Sequence, residues 1–374
     1  MISLRRTAPR NGLALVALKA LTRAPALVAC AVGLMLPNQT DAQDKEPFLL
    51  GPPTGDGPAV VLAGLVVNDV NEIDEGNQRF EFEGLLTLRW RDDRLAFDPE
   101  VAGVSEKIYQ GDYQIRELAT GWWPQLVIAN ESGGYEHQGS LLRHRSDGVM
   151  TYVEEMNAWV EMPLELRRFP FDREQFEIVF QVLGMGDDEV VLEADPETTG
   201  TASHGISIAQ WQLSGVSASS RGYALRGGGS GSQEAAAFVV TLDVARLPGF
   251  MLRVVVLPMI LLVVLSWSVF WMDRESLGDR MDISFIAILT IVAYQIMVSS
   301  TIPQIPYFTM MSAFIYVSLI TMAASVVVNL AVGRLDRGGK RAQGDRVDRV
   351  SRWAFPVAYV GQLVLVVGYF FLRY

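Results

Sequence analysis

Cysteine is almost missing from this sequence. Cys30 is the only one in 374 residues, and it lies in an N-terminal stretch that reads as a removable leader. With that leader removed no cysteine is left, and neither a disulfide nor a thiolate metal site can form. Histidine is nearly as scarce. His137, His144 and His204 show no helical or hairpin pairing, which argues against zinc. There is no H-E-x-x-H, no G-x-S-x-G and no phosphate loop. The expectation is a chain that is not an enzyme and needs no cofactor or metal. A basic patch is also lacking. Net charge is −11, and beyond residue 42 the balance is 26 basic against 41 acidic residues, or −15. Such a surface attracts cations and repels nucleic acid.

Half of the residues are hydrophobic and 20% are charged, with a mean hydropathy of +0.22. That is too apolar for a wholly soluble chain and too charged for a wholly buried one, so one soluble and one membrane domain are expected. Residues 1–42 read as a secretory signal: arginines, the apolar run Ala24–Leu36, then Thr40-Asp41-Ala42 as a cleavage end. Residues 43–57 read as a flexible lead-in. Residues 58–247 have an all-β texture, with runs such as Val60–Val67, Phe80–Trp90, Met150–Val160, Phe176–Leu183, Val190–Leu192 and Phe238–Val244. Ser146-Asp147-Gly148 reads as a hairpin turn. The expected fold is an immunoglobulin-like sandwich of about ten strands. The glycine-rich stretch Arg221–Ala237 reads as a mobile hairpin tip.

Residues 248–374 change character. Spans are expected at 250–271, 281–302, 307–332 and 354–372, each long enough for a hydrocarbon core of about 30 Å. The loop 333–353 carries seven Lys or Arg against three aspartates and should be cytoplasmic. Four spans then leave the β-domain and the C-terminus outside, in a cell (inner) membrane.

The second span has a stripe. Asp282, Ile286, Leu289, Ala293, Ile296 and Ser300 recur at spacings of four and three and share one helix face. Such a face can line a pore, with carboxylates selecting ions and apolar rings shutting the hole by dewetting. Asp282 is backed by Asp279 and Glu275 near the same end. Aspartate in a first helical turn also caps free N–H groups, and an apolar stripe also serves packing, so the stripe leaves both readings open.

Several motifs together resemble the pentameric ligand-gated ion channels, the Cys-loop receptor superfamily. They are Trp90-Arg91-Asp92-Asp93-Arg94-Leu95, Trp122-Trp123-Pro124-Gln125, Phe169-Pro170-Phe171-Asp172, Arg246 before the first span, Pro258 within it and Pro303 after the second. The run Ser266–Trp271 and the pore-helix pattern look most like the prokaryotic amine-gated branch. The resemblance implies a homopentamer in a lipid bilayer, a small-molecule agonist at the subunit interface, and permeating monovalent cations with possible divalent modulators. It places Leu289 on the family's pore leucine and implies that Asp172 pairs with Arg246 to couple ligand binding to the pore, with Pro303 in the link beyond the second span. It implies a ligand box built from Trp90, Trp122, Trp123, Gln181, Leu183 and Tyr223. The chain departs from the pattern in two places. Met162 and Phe176 occupy the family's cysteine positions, and Gln181-Val182-Leu183 with Val127 lack the aromatic and acidic groups that hold an amine. A proton-gated channel and a non-conducting receptor remain as alternatives.

Overall fold

The computed structural model describes residues 51–374, apart from 56, 120, 203–205, 207, 225–233, 273–276 and 300–305. The signal segment, most of the lead-in, Glu275, Ser300 and Pro303 lie outside the described residues. Among the described residues eleven strands form two sheets: β1 (Ala59–Asp74), β2 (Arg79–Arg91), β3 (Glu106–Gln110), β4 (Leu126–Ile128), β5 (Glu131–Arg145), β6 (Val149–Glu161), β7 (Arg173–Val182), β8 (Val190–Ala194), β9 (Gly200–Thr201), β10 (Trp211–Ala224) and β11 (Glu234–Arg246). One sheet runs β3-β5-β6-β2-β1-β8, with β9 added beside β1; the other runs β10-β11-β7-β4.

Alternation explains the sandwich. Phe80, Phe82, Leu86 and Leu88 of β2 point inward, as do Phe176, Ile178 and Phe180 of β7 and Phe238, Val240 and Leu242 of β11. Phe80 of one sheet stacks on Phe176 of the other at 5.0 Å. Each such side chain contributes about 1.5–3 kcal/mol by leaving water. Met162 and Phe176 are both buried, so the loop between them is held by packing. Leu166 and Phe169 plug into the same core. Gly148 closes the hairpin between β5 and β6 with φ +81, and an added Cβ there would come within 2.6 Å of the Asp92 carbonyl.

Among the described residues the membrane half holds four helices: α1 (Gly249–Trp271), α2 (Leu277–Ser299), α3 (Met310–Arg337) and α4 (Arg341–Arg373). Among the described residues, α1, α3 and α4 are long and apolar enough to cross a membrane. Small hydroxyl groups stitch them together. Ser266 and Ser325 meet at 2.8 Å, as do Ser318 and the Tyr359 hydroxyl. The stretch 333–353 differs from the expected loop. Only 338–340 leave the helical state, and the basic residues form helical extensions of α3 and α4. Lys and Arg are good helix formers, and beyond the bilayer they are solvated along a helix as well as along a coil.

Candidate functional site

The β10–β11 pair extends to Ala224 and restarts at Glu234, so strand replaces both flanks of the expected hairpin tip. Two ligand candidates are core residues. Trp90 is 3% and Trp122 5% exposed, and their rings meet edge to face at 6.1 Å. The W-x-D-x-R-L motif ends β2. Buried Asp92 accepts from the Arg94 backbone and from its guanidinium at 2.8 Å. Gln181 is also fully buried, and its amide donates to the Ala224 carbonyl at 2.9 Å. It fixes the strand end that carries Tyr223 and presents no surface of its own. Leu183 and Tyr223 remain accessible at the end of the smaller sheet, and half-buried Trp123 meets Tyr152 of β6 edge to face at 5.9 Å. There the Leu183 N–H donates to the Gln125 carbonyl at 2.9 Å, and Tyr223 leans on Val179, Ala237 and Val239.

Helix α2 has two contrasting faces. Ile286 is 61%, Leu289 71% and Ile296 69% exposed, and Ala293, Asp282 and Asp279 are exposed with them. Ala287 and Ile291 on the opposite face are buried, and the Tyr294 hydroxyl donates to the Val254 and Val255 carbonyls of α1. Arg280 belongs to this packed face. It is 2% exposed, donates to the Val269 carbonyl at 2.9 Å and pairs with Asp348 of α4 at 3.1 Å. Arg352 donates to the neighbouring Phe270 carbonyl at 2.7 Å. Two guanidinium groups thereby cap the last carbonyls of α1. Sequence spacing identified the stripe but not Arg280, because spacing does not say which face packs inward.

Where the β-domain meets the helices, Arg246 donates through Nε to both Asp172 oxygens at 2.9 and 3.0 Å and through Nη1 to Glu75. Its plane lies 4.0 Å from the Trp211 ring and 4.7 Å from Phe169. Both Arg246 and Asp172 side chains are 1% exposed. Burial raises the Asp172 carboxyl, and Arg246 opposes that rise. Glu174 sits beside them, pushed up to about 7 mainly by burial, with neighbouring Asp172 adding to the rise and the Glu165 N–H opposing it. The Tyr307 hydroxyl, at the start of α3, donates to the Leu164 carbonyl and accepts from the Leu166 N–H. Glu75, in the turn between β1 and β2, and Tyr307, just before α3, join the expected pair here.

Two family descriptions match the chain. The neurotransmitter-gated ion-channel ligand binding domain covers residues 49–248, and the neurotransmitter-gated ion-channel transmembrane region covers 255–343. The chain is 25% identical over 322 residues to a proton-gated ion channel of Gloeobacter violaceus, covering 86% of each chain. It is 24% identical to gamma-aminobutyric acid receptor subunit rho-3 of Homo sapiens, covering 82% of this chain and 64% of that subunit. It is 25% identical to pH-sensitive chloride channel 2 of Anopheles gambiae, over 71% of this chain and 45% of that protein. With a β-sandwich set on a transmembrane helical bundle and a match spanning both halves, the chain belongs to the neurotransmitter-gated ion-channel family, whose members are pentameric channels of the lipid bilayer and not enzymes.

Proposed function

We propose that the chain assembles as a homopentamer whose α2 helices line a cation-selective pore, opened by a small-molecule ligand at the interface between β-domains. In this reading, residues 1–42 direct export and the β-domain faces the periplasm or the exterior. The chain then crosses the cell membrane four times, and its C-terminus lies outside. The observation that carries the ion sign is the position of Arg280. Turned into the protein and neutralised by Asp348, it leaves Asp279 and Asp282 as the charges on the exposed face. Five copies make acidic rings that attract cations and exclude anions. Ile286, Leu289, Ala293 and Ile296 make the apolar gate above them. The ligand lies against Trp123, Leu183 and Tyr223, a surface suited to a flat apolar molecule more than to a primary amine.

The Asp282→Asn channel tests this reading. A carboxylate about 4 Å from an ion is worth roughly 4 kcal/mol at an effective dielectric near 20. Loss of the ring is therefore expected to lower the cation-to-anion permeability ratio at least about ten-fold, read from reversal potentials in a salt gradient. An unchanged ratio would overturn the assignment.

A second reading, with protons as the agonist, is favoured by Glu174. Its carboxyl titrates at about 7, and it faces Asp172, Arg246, Glu165 and the Tyr307 hydroxyl, with Glu75 bound to the same guanidinium. The folded value lies above the unfolded one, so the native state holds the extra proton. The resulting stability is complete below about pH 4 and fades as pH rises through about 7, by up to roughly 3 kcal/mol. Thermal unfolding of the wild type is expected to fall in temperature from about pH 5 to about pH 8, and Glu174→Gln should flatten that dependence. If protons gate, the same variant should also lose its current response to a pH step. Equal pH profiles in both channels would remove Glu174 from either role.

A further inference from the structure

Pro258 interrupts the hydrogen-bond ladder of α1. A proline has no N–H, so the carbonyl four residues before it, that of Val254, loses its helical donor. The backbone widens at the same place. Residues 252–256 form a π-helical turn, and the Leu257 N–H donates to the Leu252 carbonyl, five residues back. A carbonyl freed inside a bilayer is usually served by a neighbouring helix. Here the donor comes from the helix that carries the exposed stripe. The Tyr294 hydroxyl of α2 donates to the Val254 carbonyl and lies 3.1 Å from that of Val255.

The place of this bond gives it a use beyond packing. Tyr294 directly follows Ala293 of the stripe, so what fixes one fixes the turn of the other. Ala287, Ile291 and Tyr294 recur at spacings of four and three on the face turned into the protein, where Ala287 and Ile291 are buried. Apolar contacts of that kind have no preferred direction. A hydrogen bond holds only within a narrow range of distance and angle, so it sets a rotation that the apolar contacts leave loose. On the other side of the bond, Val254 stands near the start of α1, a short step beyond Arg246 at the end of β11. One hydroxyl has one proton, and Val254 and Val255 are successive acceptors. The proton can pass from one carbonyl to the next, a step of about 1.5 Å along a helix, without the two helices parting. We infer that Tyr294 is a positioning residue of the gate. It takes the acceptor that Pro258 leaves open in α1 and holds α2 at the rotation that turns Ile286, Leu289, Ala293 and Ile296 to the pore. It also carries to α2 any shift of α1 that begins at Arg246. The inference rests on the reading of α2 as the pore wall and adds the group that sets its rotation.

The test is a double-variant cycle in the full-length channel. Tyr294→Phe removes the hydroxyl and keeps the ring. Pro258→Ala returns a backbone N–H to the Val254 carbonyl and so competes for the same acceptor. In the Leu289→Ala background, single-channel recording without ligand gives the ratio of open to closed time. Without the hydroxyl, α2 can turn its apolar rings away from the axis. Tyr294→Phe is therefore expected to raise the ratio at least about five-fold, the equivalent of one neutral hydrogen bond. Pro258→Ala should raise it too, and the two together should do no more than Tyr294→Phe alone. A hydroxyl with a purely structural role would change the number of channels at the surface and leave the ratio as it was. An unchanged or lowered ratio with Tyr294→Phe would overturn the inference, as would effects of the two replacements that multiply. If the alanine variant does not assemble, Tyr294→Phe alone decides. A Leu289→Ala channel that passes no current would count against the pore reading instead. The tie is then decided by thermal unfolding of the detergent-solubilised pentamer. Loss of the hydroxyl should lower the unfolding temperature when residue 258 is proline and hardly change it when residue 258 is alanine, and equal losses in both backgrounds would reject the tie.

Discussion

Alanine in place of Arg246 is expected to destabilise the channel by about 3–5 kcal/mol, the usual effect of breaking a buried ion pair by removing one partner. Asp172 would then be left 3% exposed with no counter-charge, beside Glu75 and Glu174. The stacking on Trp211 and Phe169 would go as well, a further ~0.5–2 kcal/mol. Arg246→Lys keeps the charge but not the fork or the flat face, so it should fall between wild type and alanine. Thermal unfolding of the detergent-solubilised pentamer reads both effects, and an alanine variant that melts like wild type would refute the role of the pair. Exchange of the two residues, Asp172→Arg with Arg246→Asp, should recover part of the loss. Recovery stays partial because Glu75 then faces a second carboxylate at position 246. A double variant no better than either single one would mean that the two groups act separately.

The largest functional effect is expected from Leu289→Ala. Leu289 is 71% exposed, more than Ile286 or Ile296, with Ile286 one turn below and Ala293 and Ile296 above. A ring of leucines blocks ions because it cannot replace their hydration shell, and shortening each side chain lets water back in. A shift of only about 1.4 kcal/mol toward the open state raises the resting current ten-fold. The variant should therefore carry a steady cation current without ligand in a heterologous cell whose wild-type control is silent. Silence from surface-located variant protein would favour a receptor that binds but does not conduct.

The sequence showed some of these features plainly and hid others. Strands rich in β-branched and aromatic residues, such as β2, β7 and β11, were visible as alternation. The hairpin turn at Ser146–Gly148 implied the end of β5, but its first half and β10 were not visible, because Glu131-Ser132-Gly133-Gly134 and Ser217-Ala218-Ser219-Ser220 carry little apolar signal. Their backbones are ordered by pairing with β6 and β11, a long-range effect that no local window contains. The exposed stripe of α2 was legible because 3.6-residue periodicity survives in a membrane helix. Its orientation depends on Arg280 finding Asp348, 68 positions along the chain. Trp90 and Trp122 show where the resemblance alone says too little. It implies a place for both in the ligand box, and the structure buries them with their rings in edge-to-face contact.

Met162 and Phe176 also bear on how the channel responds to its surroundings. A disulfide at those positions would make the loop between them depend on an oxidising compartment for its closure. The apolar clasp found here needs no oxidant, and a reductant cannot open it. Its strength follows temperature instead, because apolar burial weakens as water cools. The loop that carries Phe169–Asp172 to the membrane is thus indifferent to redox state and sensitive to cold.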